Sequence, residues 1–273
     1  MMRNTLLRIF GGGTTLALAL LAAISTVTVT SCAHYDEFAV DSIVVDRSWA
    51  AHEAMENDEL GGRSYYYALV DYPANSENLE YNDLADSVRF WISTMLLPAG
   101  NEPVMTRRVL EEAVDIFFGE VGGNEWGANK SVVLRKVYED REFLSYDATE
   151  YTYYGGAAHG MYHVGGATFR KESGHRLAWT DIQDRDHGLR LKLTESMMKE
   201  LGLASTTELM ATLLTDDAKT CELADGTKAL PLPSAEPWLT EDGWVFSYQP
   251  YEIMCWAAGA PACRLDKDEV SLN

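Results

Sequence analysis

The residues with the clearest capacity for chemistry lie in two short strings. The first runs Tyr151-Thr152-Tyr153-Tyr154-Gly155-Gly156-Ala157-Ala158-His159-Gly160, with a second imidazole close behind at His163. Spacing of i, i+4 would let His159 and His163 share a zinc ion on a helix. Their glycine and aromatic neighbours favour strand and turn instead, where residues four apart stand about 13 Å from each other, so no metal site is expected. A histidine in a Gly/Ala-rich bend has another use, because both ring nitrogens can hydrogen-bond and tie the loop down. The second string, Tyr248-Gln249-Pro250-Tyr251-Glu252-Ile253, holds the one acid set among apolar neighbours, Glu252. That position suits a general acid, but a hydrogen-bonded structural carboxylate is the better expectation. Tyr151, Tyr153, His159, Tyr251 and Glu252 are therefore the candidate ligand contacts.

Other catalytic patterns are missing. There is no Gly-x-Ser-x-Gly elbow, and no cysteine has a recognisable partner histidine. Carboxylates are plentiful enough for a glycosidase pair, yet no single one stands out by context. Asp184-Arg185-Asp186-His187 reads as a solvated loop before a helix. The four cysteines are Cys32, Cys221, Cys255 and Cys263. With Cys32 set aside, at most one internal bridge can form. Cys255 and Cys263, flanking a Gly259/Pro261 bend, are the expected pair in an oxidising compartment. No catalysis and no cofactor is expected.

The elements that must position these residues follow from hydrophobic periodicity. Residues 38–46 and 64–72 alternate as strands. Tyr81, Leu84, Val88, Trp91, Ile92 and Met95 follow a helical period that ends at Pro98, and Met105, Val109, Ala113, Ile116 and Phe117 mark a second helix. Residues 131–154 form a long β region bent near Asp140, and residues 168–177 look like a hairpin turning at Glu172-Ser173-Gly174. Leu189, Leu193, Met197 and Leu201 mark a third helix, and Thr206 or Thr207 opens a fourth. Residues 238–248 read as a hairpin around Glu241-Asp242-Gly243. Strands and helices come in blocks, which predicts an α+β fold: a mainly antiparallel sheet with about four helices packed on it. Tyr65-Tyr66-Tyr67 and Tyr151, Tyr153 and Tyr154 lie on strands, where successive rings face opposite sides. One side packs the core. The other is free to stack on sugar or anchor a protein.

The start of the chain reads as an address. Arg3 and Arg8 supply a positive region, Leu16 to Ile24 a short apolar one, and Val29-Thr30-Ser31 leads into Cys32. That is the layout of a secretory leader over residues 1–31, and the cysteine at its edge resembles a bacterial lipobox, with Cys32 the acylated residue. Residues 32–37 then form a tether to an envelope-anchored body on the periplasmic face or the outer-membrane surface. The net charge of −20 becomes more negative once a leader with two arginines and no acid is removed. Such a field repels nucleic acid and attracts cationic partners.

Beyond these readings, the Gly155-Gly156-Ala157-Ala158-His159-Gly160 string is followed by Phe169, Ser173-Gly174, Leu177 and Thr180-Asp181-Ile182. Near the C-terminus come Leu239 to Phe246, Tyr248 to Ile253 and Ala257-Ala258-Gly259. Together they resemble a domain of unknown function found in RsiV-type anti-sigma factors and in the non-catalytic part of the peptidoglycan deacetylase PdaC. The resemblance covers about residues 150–270 and implies two modules, 38–148 and 149–273. It departs at the extra alanine before His159, at Met254-Cys255-Trp256 and at Ala262-Cys263-Arg264-Leu265. In the RsiV-type receptors this region binds lysozyme, so the resemblance implies a binding module for a basic lysozyme-type protein. A leader in place of a cytoplasmic sigma-binding segment argues against an anti-sigma role. A glycan or peptidoglycan binding module is the alternative, and an envelope hydrolase built on Glu252 or His159 the second alternative.

Overall fold

The computed structural model describes residues 37–50, 63–74, 81–97, 106–122 and 126–273. The expected leader, Cys32 and nearly all of the tether lie outside them. Five strands form one sheet in chain order: β1 (Val40–Ala50), β2 (Arg63–Pro73), β3 (Ala128–Glu139), β4 (Phe143–Tyr154) and β5 (Met161–Arg170). All pairs are antiparallel except β2 with β3, which run parallel. A parallel pair needs a long crossover, and the helices α1 (Asn82–Leu96) and α2 (Thr106–Val121) supply it.

Both helices are amphipathic and lie on the face of the sheet that carries Tyr66, Ala68, Val70, Val132, Leu134, Leu144, Tyr146, Ala148 and Phe169. Leu84, Val88, Trp91 and Ile92 of α1 and Val109, Leu110, Val114 and Phe117 of α2 close this core. Trp91 meets the rings of Tyr146 and Phe169 at 5.8 and 6.3 Å, and Phe117 meets Tyr66 edge-on at 5.5 Å. At its border Glu139 takes the Phe38 N–H at 2.8 Å and pairs with Lys171 and Lys136, whose ammonium also reaches the Phe38 carbonyl at 3.0 Å. The Lys171 and Glu139 side chains are only 3% and 5% exposed, a burial that charges tolerate when paired.

A second core gathers the rest of the chain: α3 (Arg190–Leu201), α4 (Thr206–Thr212), α5 (Asp216–Thr220) and an antiparallel sheet of β6 (Trp238–Thr240), β7 (Gly243–Ser247) and β8 (Ala262–Leu265). Leu193, Met197, Leu209, Phe246, Tyr248 and Leu265 fill it. β6 lies across the other face of the five-stranded sheet, where the Leu239 N–H donates to Thr168 Oγ1 at 2.9 Å. Trp238 sits directly on Gly166, where a Cβ would come within 2.3 Å of the indole.

The α+β class stands, with several local differences. The expected single sheet is two sheets. Among the described residues there are five α-helices; α5, with only five residues, is too short to show a period and is held by Thr215, which accepts from the Ala218 N–H. The hairpin over 168–177 shrinks to one bridge, Phe169 with Arg176. Residues 148 and 149 sit in the middle of β4.

The expected Cys255–Cys263 bridge is corrected, since both thiols are free. Alternation along β8 turns Cys263 and Leu265 into the second core, where the Cys263 thiol donates to the Leu193 carbonyl at 3.2 Å. Cys255 stands exposed at the head of a 3-10 turn.

Candidate binding face

Among the described residues, half of one sheet face is left uncovered. Tyr66 enters the core, so Tyr65 and Tyr67 point outward and are 43% and 37% exposed. Register then aligns tyrosines from distant parts of the chain. Tyr67 is opposite Asp46 on β1 and beside Ser131 on β3; Ser131 faces Tyr151 on β4, and Tyr151 faces Tyr162 on β5. One row along, Ser48, Tyr65, Asn129 and Tyr153 line up the same way. Rings separated by short polar side chains thus form two parallel rows. β6 covers the opposite half of this face, and Arg135 and Asp147 pair across β3 and β4 between the two halves. Burial raises the Asp147 pKa above 3.8, Arg135 draws it back, and the nearby Asp71 carboxylate adds to the rise.

The rows end at a joint that brings the two sequence strings together. Gly160 has no room for a Cβ because the Tyr151 ring lies on it, at 2.4 Å from where that atom would be. The next residue back, His159, stacks on Trp256 with centroids 4.4 Å apart. Its Nδ1 lies 3.0 Å from the Gly160 carbonyl and therefore donates, which leaves Nε2 to accept from the Tyr251 hydroxyl at 3.0 Å. Trp256 Nε1–H donates to the same carbonyl at 2.9 Å, and Tyr162 meets Trp256 edge-on. Tyr251 adopts a φ of +69°, a conformation that a bulky residue adopts only when its surroundings hold it.

Glu252 and Gln249 do the holding. The Glu252 carboxylate accepts from the Ser234 N–H at 2.6 Å, the Ser234 hydroxyl at 3.1 Å and the Gln249 N–H at 2.7 Å. The Gln249 side-chain amide accepts from the Val164 N–H at 3.1 Å and donates to the Val164 carbonyl at 2.7 Å. It acts as a one-residue strand on the outer edge of β5.

Of the candidate residues, Tyr151 and Tyr153 lie on the open face, and His159 and Tyr251 form the joint beside it. Glu252 is turned to scaffolding, as a structural carboxylate would be. His163 sits within β5 opposite Glu150 and shares nothing with His159. Among the described residues no group of three His, Cys, Asp or Glu side chains is placed to hold a metal, and no helix is long and apolar enough to cross a membrane. Sequence reasoning missed Trp256, Tyr162 and Gln249. Trp256 falls where the resemblance breaks down, and nothing in one sequence marks a glutamine that will cap a strand edge.

No protein-family model and no curated protein matches the sequence. Two solved structures do share its architecture. A DUF3298-family member from Bacteroides fragilis superimposes with a TM-score of 0.63 at 20% identity, over 84% of this chain and 90% of that one. A DUF3298-family protein from Pseudomonas aeruginosa follows with a TM-score of 0.54 at 11% identity, over 85% and 92%. The chain therefore has the fold seen in those DUF3298-family structures, along nearly their whole length.

Proposed function

We propose that this chain is an envelope-anchored binding module, lipid-linked through Cys32 and without catalytic chemistry, that takes a basic lysozyme-type protein on its tyrosine face. The observation that carries the reading is the in-register set of exposed Tyr65 and Tyr67 and half-buried Tyr151 and Tyr153, edged by Asp46. Tyrosines supply large contact area with little rotamer entropy to lose, and so serve as anchors at protein interfaces. The −20 charge steers a cationic partner toward the body. Two observations favour binding over turnover. Both nitrogens of His159 and both oxygens of Glu252 are already engaged in holding the loop.

The test is to mix the full chain, in detergent, with lysozyme at about 20 mM salt, where electrostatic association is strongest. A complex that weakens with salt and with Tyr67→Ala or Tyr151→Ala supports the reading; no complex at low salt removes it. The polar spacers Ser131 and Asn129 between the rings support a second reading, a cell-wall glycan stacked along the rows. Retention on purified cell wall that is indifferent to salt and lost in the same tyrosine variants selects that reading instead.

A further inference from the structure

The two edges of the five-stranded sheet are treated differently. Gln249 covers part of the β5 edge, whereas no described strand pairs with the outer edge of β1. β1 runs for eleven residues without proline or lysine, and its three charges, Asp41, Asp46 and Arg47, are of both signs. Its outward groups follow from the ladder. The Ala74 N–H donates to the Ala39 carbonyl at 3.0 Å, and Pro73, which has no N–H, lies opposite Val40. Bonded and non-bonded pairs alternate along an antiparallel ladder. The odd residues of β1 therefore bond β2, and Val40, Ser42, Val44, Asp46 and Ser48 aim N–H and C=O outward.

We propose that this edge pairs antiparallel with the same edge of a second copy, about a two-fold axis through Val44. That axis sets Val44 against itself once, and Ser42 against Asp46 and Asp41 against Arg47 twice each by symmetry. Every backbone pair it makes joins two outward-facing residues. The Asp41 and Arg47 side chains are both exposed, and neither has an ion pair among the described residues, so the second copy supplies each with its opposite charge. Val44, 61% exposed in one copy, covers its own image. Neighbouring registers fit worse. An axis through Ile43 sets Asp41 against Val45, one through Val45 sets Arg47 against Ile43, one through Asp46 opposes two carboxylates, and one through Ser42 sets Asp41 against Ile43. The pairing yields a ten-stranded sheet with the tyrosine rows of both copies on one side. It does not depend on what those rows bind.

Sedimentation of the full chain in detergent across a range of protein concentrations tests this. A monomer–dimer equilibrium is expected. Asp41→Arg should weaken it about tenfold by placing like charges opposite each other, and Asp41→Arg with Arg47→Asp should restore it, which separates pairing from misfolding. In a Cys221→Ser, Cys255→Ser background, Val44→Cys should be trapped as a covalent dimer by mild oxidation, since paired Cα atoms there stand about 5.5 Å apart. A monomer at every concentration overturns the proposal, as does a dimer that ignores either the charge change or the Val44 thiol.

Discussion

The Tyr251 hydroxyl donates to Nε2 of His159 across 3.0 Å and 92 residues of chain, joining the last long loop to the tip of the five-stranded sheet. The two residues come from the two strings that stand out in the sequence, and their meeting gives those strings a common purpose. Each one fixes a loop against the other, at the end of the tyrosine rows.

Removing that hydroxyl should loosen the joint without unfolding the body. Tyr251→Phe leaves the imidazole acceptor to water, since Tyr251 is 43% exposed, and should lower stability by about 0.5–1 kcal/mol in urea unfolding. Amide exchange should quicken at Gly259 and Val164 and stay unchanged in α1. A uniform change across the chain would show that the bond holds nothing local.

The contact between the cores is less forgiving. Gly166→Ala would place a methyl 2.3 Å from the Trp238 indole and 2.6 Å from the Tyr146 carbonyl. Neither can yield without shifting β6 off the sheet. A loss of about 1–3 kcal/mol is expected, together with a change in tryptophan fluorescence.

Thiol chemistry separates the cysteines. Burial pushes the Cys263 thiol up to about 12, so at pH 8 it stays protonated and shielded, and a thiol reagent should modify it only on unfolding. The exposed Cys255 should react at once. Peptide mapping after labelling of native and urea-unfolded protein distinguishes the two. A recovered Cys255–Cys263 disulfide in native protein would contradict the packing of β8.

Asp147 should make stability depend on pH in an unusual sense. Burial holds its folded pKa above 3.8, so the folded state prefers the protonated acid. Its contribution is complete below the unfolded pKa and is lost as pH rises through the folded one. Asp147→Asn should therefore be more stable than the parent at pH 7, and the gap should close as pH falls toward 3.8, as read from urea midpoints.

Much of this fold was legible because periodicity reports burial. Tyr66 falls inside and Tyr65 and Tyr67 outside by alternation alone, and Leu84, Val88, Trp91 and Ile92 mark the buried stripe of α1. Pairing between distant strands leaves no such trace. Nothing local says that Tyr67 will align with Tyr151 through Ser131, or that β2 and β3 run parallel, because both follow from the crossover of α1 and α2. The disulfide expectation failed for a related reason. Spacing around a bend shows that two cysteines are near in sequence, but their direction is set by the strand, and β8 turns Cys263 under α3. Trp256 was hidden differently, since its role depends on His159, which reaches it only after the sheet has folded.

The clamp of Glu139 and Lys136 on Phe38, with Lys171 behind Glu139, has a mechanical meaning. Force applied at Glu37 enters the body at Phe38, whose N–H and carbonyl are both gripped by charged groups of β3. A tug there strains an electrostatic rivet before it can peel β1 from its neighbour, so the edge strand and the aromatic rows beside it are insulated from a pull applied at that point.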